Sequence, residues 1–172
     1  MTVLESLVSP EAIQEMVDRA SKTPRGCFVE VGVYNGGTGH RLSQIAERQA
    51  REIYLYDTFE GIPYKDPIDS HACGDFPADF ESVRKAIPYA TVIKGIFPRS
   101  AVHMPPVAFA HLDCDQYRSV LESCLYLSPR MVDGGVIWFD DSPVLEGAHK
   151  AVKEVFGSIM KTSKYGKHYV EF

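Results

Sequence analysis

Short apolar runs, each four to eight residues long, alternate along this chain with stretches in which apolar residues recur every three or four positions. A helix following a strand packs its apolar stripe back onto the sheet, so repeated alternation of this kind selects parallel βαβ units. The expected fold is therefore α/β: a three-layer, Rossmann-like arrangement around a mostly parallel sheet of six or seven strands. The expected strand order is 3-2-1-4-5, with the last strand or pair beyond. Strands are assigned to residues 27–33, 53–56, 91–94, 107–112 and 135–139, and residues 167–172 resemble a closing strand. Ser9-Pro10-Glu11 is a helix start, because proline tolerates the first helical position and an acid suits the positive end of the dipole. Ile13, Met16, Val17 and Ala20 then share one face. Leu42, Ile45, Ala46 and Gln49 mark a second helix, and one starting near Asp79 turns Phe80, Val83 and Ile87 inward. Two more follow, one carrying Tyr117, Val120, Leu121, Cys124 and Leu125, the other spanning 145–159.

The 172 residues suit one domain over the whole length, 1–172, since a chain near that size buries roughly 70% of its unfolded surface. No run approaches the ~18 apolar residues of a membrane span. The opening, MTVLESLVSPEAIQEMV, lacks the basic-then-apolar order of a leader, so a cytoplasmic location and no membrane partner are expected. A net charge of −5 argues against nucleic acid as a partner. Cys27, Cys73, Cys114 and Cys124 show no paired spacing and read as buried free thiols.

Acids cluster where four of the strands end: Glu30, Asp57, Asp113 with Asp115, and Asp140 with Asp141. In an open α/β sheet that rim is where ligands bind. The first turn reads Glu30-Val31-Gly32-Val33-Tyr34-Asn35-Gly36-Gly37-Thr38-Gly39, not the G-x-G-x-x-G of dinucleotide binders. An acid just before the glycine suits a cationic amino group, and the following helix start suits a carboxylate. S-adenosylmethionine offers both. Its candidate contacts are Glu30, Gly32, Tyr34, Asn35, Gly36 and Thr38, with Asp57 and Thr58 after the second strand. Asp57, 25 residues beyond Gly32, is placed to accept from ribose hydroxyls.

If strands four and five are neighbours, Asp113, Asp140 and Asp141 converge. Crowded carboxylates with oxygen-only donors select a hard cation, Mg²⁺ or another divalent ion. Such an ion would grip hydroxyl oxygens and lower their pKa. Asp113, His111 and His71 are the candidate bases. Asp115 is expected to cap the helix starting at Gln116, and Trp138 to be core. The loop from Thr58 to about Ala78 is long for a compact domain; with Phe59, Ile62, Tyr64, His71 and Phe76 it reads as a lid offering aromatic faces.

The pieces EVGVYNGGTG, YDTFEGIP, KGIFPRS, LDCDQYRSVLESCLYLSPRMVDGGVIWFDD and GAHKAVKEVF resemble, in order and spacing, the macrocin O-methyltransferase family. The resemblance implies a seven-stranded methyltransferase sheet and a metal- and S-adenosylmethionine-dependent O-methyltransferase acting on a small hydroxylated acceptor, sugar-like or a natural product. It also implies that Glu30 and Gly32 meet the methionine end of the cofactor, Asp57 its ribose side, and Asp113, Asp140 and Asp141 magnesium. A homodimer is compatible with it. Competing readings are a non-catalytic cofactor-binding module of the same fold, a nicotinamide-dependent oxidoreductase, and a metal-dependent phosphatase or nuclease.

Overall fold

Ser9 caps α1 (Pro10–Ser21), its hydroxyl accepting from the Ala12 N–H, with proline in the first turn. The computed structural model describes residues 4 and 6–172. Residues 1–3 and 5, part of the opening stretch read above for a leader, lie outside the described residues. Next come β1 (Cys27–Val31), α2 (Gly37–Arg48), β2 (Ile53–Asp57), α3 (Phe80–Ala86) and β3 (Thr91–Lys94). The second half holds β4 (Val107–Leu112), α4 (Tyr117–Leu127), β5 (Met131–Phe139), α5 (Glu146–Phe156), β6 (Lys161–Thr162) and β7 (His168–Glu171).

These strands form one sheet ordered β3-β2-β1-β4-β5-β7-β6. The first five are parallel, and β7 runs antiparallel to β5 and β6. β1 and β4 are neighbours, so the direction in which the chain winds reverses between them, where an open sheet parts its crossover loops and leaves a crevice.

Both faces of the central strands are apolar, as a sheet covered twice requires. Val29 and Val31 of β1, Ala110 and Leu112 of β4 and Ile137 and Phe139 of β5 pack with Val120, Cys124 and Leu127 of α4 and Ala151 and Val152 of α5. On the other face Phe28, Leu55, Phe109 and Trp138 pack with Met16 and Ala20 of α1 and Leu42 and Ala46 of α2. Trp138 is core as expected, stacked on Tyr169 with centroids 5.7 Å apart.

The structure differs from the sequence reading at several points, the first being that β1 ends at Val31 and not at residue 33. β5 begins at Met131, not at residue 135, because its first four residues are partly exposed and include Asp133 and Gly134, which carry no strand signal. The last helix ends at Phe156; Gly157 takes a positive φ of 54° and a 3₁₀ turn completes the stretch. The tail supplies the pair of closing strands, β6 being two exposed residues with no apolar pattern that the sequence reading of 167–172 did not locate. Of the thiols, Cys27 and Cys124 are buried, but Cys114 is half-buried and Cys73 exposed.

Candidate active site

A cavity of about 310 Å³ opens at the carboxyl ends of β1, β2, β4 and β5. That is within the range of small-molecule sites. Val31, Gly32, Val33 and Tyr34 line it from the first turn, and Gly37 and Thr38 bring the start of α2 into its wall. Gly32 has φ 90°, and a Cβ there would stand 1.8 Å from the Asp113 carbonyl oxygen. The ends of β1 and β4 therefore meet backbone to backbone, locked by the Asp113 N–H donating to the Val31 carbonyl at 2.9 Å. Only glycine permits that approach. Gly36, at φ 86°, caps α2 without a side chain and packs toward Val83 and Ile87, so with Asn35 it forms the turn behind the wall.

Asp57 lines the cavity and also builds it. Its Oδ2 accepts from the N–H groups of Val33 (2.7 Å) and Tyr34 (2.9 Å), and its Oδ1 from Phe59 N–H (2.7 Å). Thr58, also in the lining, donates its hydroxyl to the Gly61 carbonyl at 2.5 Å.

Glu30 is turned away from this space. It has no exposed surface, its Oε1 lies 2.8 Å from His111 Nδ1, and its Oε2 stands beneath Gly39, where a Cβ would come within 2.5 Å. The reading of Glu30 as a direct partner for a ligand amino group is corrected accordingly: neither Glu30 nor His111 is among the cavity-lining residues. The same geometry removes His111 from the candidate bases. Strand pairing sets Glu30 directly beside His111, and the absence of solvent there makes the pair its own counterpart.

Asp113, Asp140 and Asp141 do converge, with one ligand atom from each lying within 4.8 Å of the others. Burial, with the charges of Asp141 and Asp140, holds the Asp113 carboxyl well above the usual carboxylate range. Burial, then Asp115 and Asp140, pushes Asp141 up to about 7. Crowding and desolvation at three carboxylates set up a repulsion of the kind that a hard divalent cation relieves. Lys167 approaches from β7's start, its Nζ 2.7 Å from Asp140 Oδ1.

Asp115 does not cap α4. Its φ of 57° is left-handed, its N–H donates to Asp141 Oδ2 at 3.0 Å, and Gln116 occupies the cap position without a side-chain bond. Asp69, 48 positions earlier in the chain, caps the helix instead by accepting from Tyr117 N–H at 2.8 Å. Asp115 is thereby freed to line the cavity, 3.9 Å from His71 Nε2. Burial and the Asp140 charge raise it to about 6. Its role at the site escaped the sequence reading because an acid before a helix has an ordinary capping explanation.

The long loop is bolted down rather than loose. Gln116 Nε2 donates to the carbonyls of Tyr64 and His71, both at 3.0 Å. Phe59 is core, packing on Phe80, whereas the buried Ile62 lines the cavity. His71 and Phe76 do face the cavity, and Phe76 meets Tyr34 edge-on at 6.3 Å. Among the described residues no helix is long and apolar enough to cross a membrane.

The fold is shared with solved structures. The O-methyltransferase NovP superposes with a TM-score of 0.77 at 22% identity, covering 94% of this chain and 78% of that one. CalS11, a calicheamicin methyltransferase, gives 0.74 at 16% identity, with 94% and 77% covered. An O-methyltransferase from Bacillus cereus in complex with SAH gives 0.62 at 12%, with 95% and 80% covered. No curated protein matches the sequence. The profile of the macrocin-O-methyltransferase (TylF) family matches residues 10–157, from the start of α1 through the end of α5, with β1 to β5 between. The chain belongs to the TylF macrocin-O-methyltransferase family and is an O-methyltransferase-family enzyme.

Proposed function

We propose that residues 1–172 act as one catalytic domain, an S-adenosylmethionine-dependent O-methyltransferase with divalent-cation assistance. The acceptor is a hydroxyl of a small polyhydroxylated molecule, sugar-like or a natural product. One observation carries the reading: the Gly32 turn, Asp57 and the Asp113–Asp140–Asp141 cluster open onto the same cavity. A phosphatase or nuclease would leave the first two without work, and a dinucleotide enzyme would leave the third. The acceptor class follows the family and the solved relatives, of which CalS11 is described as a TDP-rhamnose 3′-O-methyltransferase.

When bound, S-adenosylmethionine supplies the methyl group on an electrophilic sulfonium, and a divalent cation supplies positive charge that acidifies a hydroxyl. The chain's own residues do the rest. The Gly32 turn, held by Asp57, admits the cofactor close to the backbone, and the start of α2 at Gly37 and Thr38 suits its carboxylate. Thr58 flanks Asp57 on the ribose side. Asp113, Asp140 and Asp141 would hold the cation. Asp115 is the better base: it faces the cavity and its carboxyl, raised to about 6, takes up a proton near neutral pH. Holding oxygen and methyl in line is the larger part of catalysis for such a displacement.

The test is methyl transfer from labelled cofactor to a panel of polyhydroxylated acceptors, with and without EDTA. Label in an acceptor, lost on chelation and restored by Mg²⁺, is expected. Transfer undiminished by EDTA removes the cation. Tight cofactor binding without any transfer across a broad panel favours the binding module.

A further inference from the structure

Lys167 belongs to no part of the proposed mechanism, yet it reaches into the carboxylate cluster. β7 runs antiparallel to β5 with His168 opposite Phe139, which sets Lys167 across from Asp140. Its Nζ donates to the Asp140 carbonyl at 3.1 Å and stands 2.7 Å from Asp140 Oδ1. The contact is sheltered, with the side chains 19% and 13% exposed. One end of the three-carboxylate cluster is thus matched by an ammonium. An ammonium, unlike a water molecule, repels a divalent ion bound to the same carboxylates.

We propose that Lys167 is the resident counter-charge of the cation site: it holds Asp140 in place while the site is empty and sets a weak resting affinity for the cation. Two effects act together. The lysine stands against one carboxylate oxygen of Asp140 as an ion pair, and its charge opposes a second positive charge a few ångströms away. Removing the charge while keeping the stem's length and bulk therefore tightens cation binding and loosens the empty site. This rests on the assignment of Asp113, Asp140 and Asp141 as cation ligands.

The experiment compares the full-length wild type with Lys167→Met, Lys167→Gln and Lys167→Arg. Binding of Mn²⁺ is read from the electron paramagnetic resonance signal of the free ion, and thermal unfolding is measured without metal. Asp140→Asn with Asp141→Asn serves as the control that the ion reads this cluster. Lys167→Met is expected to bind Mn²⁺ roughly tenfold or more tightly than the wild type and to melt lower when metal-free. Lys167→Arg should stay near the wild type, and Lys167→Gln provides a second neutral variant should the first fail to fold. Equal or weaker binding by the neutral variants overturns the role given to the lysine while leaving the cation site intact. No bound Mn²⁺ in the wild type or in either neutral variant overturns the cation site and this proposal together.

Discussion

His111 Nδ1 lies 2.8 Å from Glu30 Oε1, and neither side chain has any exposed surface. Two residues that sequence alone assigns to a ligand and to proton transfer are thus committed to each other inside the sheet's second face. The far ends of the pair, Glu30 Oε2 and His111 Nε2, are buried and have no hydrogen-bond partner among the described residues. Gly39 completes the arrangement, since any side chain there would strike the carboxylate. Breaking a buried pair on one side costs far more than replacing both partners.

His111→Ala should therefore lower stability by about 3–5 kcal/mol, measured by urea unfolding. Pairing it with Glu30→Gln should recover part of that loss. A His111→Ala protein of unchanged stability but abolished methyl transfer would return the histidine to the reaction.

Gly32→Ala places a methyl group against the Asp113 carbonyl and a side chain in a positive-φ backbone. Overpacking and strain together should cost roughly 2–6 kcal/mol. Denaturant unfolding checks this. A folded variant of wild-type stability would mean that β1 and β4 part more easily than their ends suggest.

Asp57→Ala leaves three N–H groups, at Val33, Tyr34 and Phe59, without their acceptor. A stability loss of about 2–4 kcal/mol is expected, with S-adenosylhomocysteine affinity down tenfold or more by calorimetry. Lost stability with unaltered affinity would make Asp57 a brace for the turn and nothing else.

The pH dependence of stability follows from the cluster. Burial raises Asp113, Asp115 and Asp141 in the folded chain, to about 6 for Asp115 and about 7 for Asp141, whereas in the unfolded chain they ionise near the ordinary carboxylate value of 3.8. Between these limits the folded state binds more protons than the unfolded state, so stability falls as pH rises. The contribution is fully present below about 4 and is lost as pH passes through 6 to 7. Metal-free protein should accordingly melt lower at pH 7.5 than at pH 5, and Asp141→Asn should flatten that slope. Saturating Mg²⁺ should oppose the fall, because cation binding displaces those protons. A melting temperature that climbs over this range, with no metal present, would contradict the raised carboxyls.

The strand order and the helix layers were legible in sequence because period and burial coincide there: β1, β2, β4 and β5 are apolar runs, and each helix shows one apolar stripe. The convergence of Asp113, Asp140 and Asp141 was legible too, since strand adjacency alone brings the ends of β4 and β5 together. What was hidden depends on contacts between distant positions. The cap of α4 comes from Asp69, and nothing near Tyr117 in sequence announces it. The burial of Glu30 depends on His111, 81 positions away, and on a glycine in α2. Lys167 reaches Asp140 only because a two-residue strand turns the tail back on itself, and a pair that short and exposed has no periodicity to read.

The central claim is that the cavity at the Gly32 turn is a cofactor site, and thermal unfolding with S-adenosylhomocysteine, each with and without Mg²⁺, tests it most directly. Ligand at a hundred times its Kd should add roughly 2.7 kcal/mol, or about 5–10 °C for a domain of this size. The account predicts that shift in the wild type and its loss in Asp57→Ala measured against its own unliganded baseline. An unmoved melting temperature at saturating S-adenosylhomocysteine, with or without Mg²⁺, would contradict it.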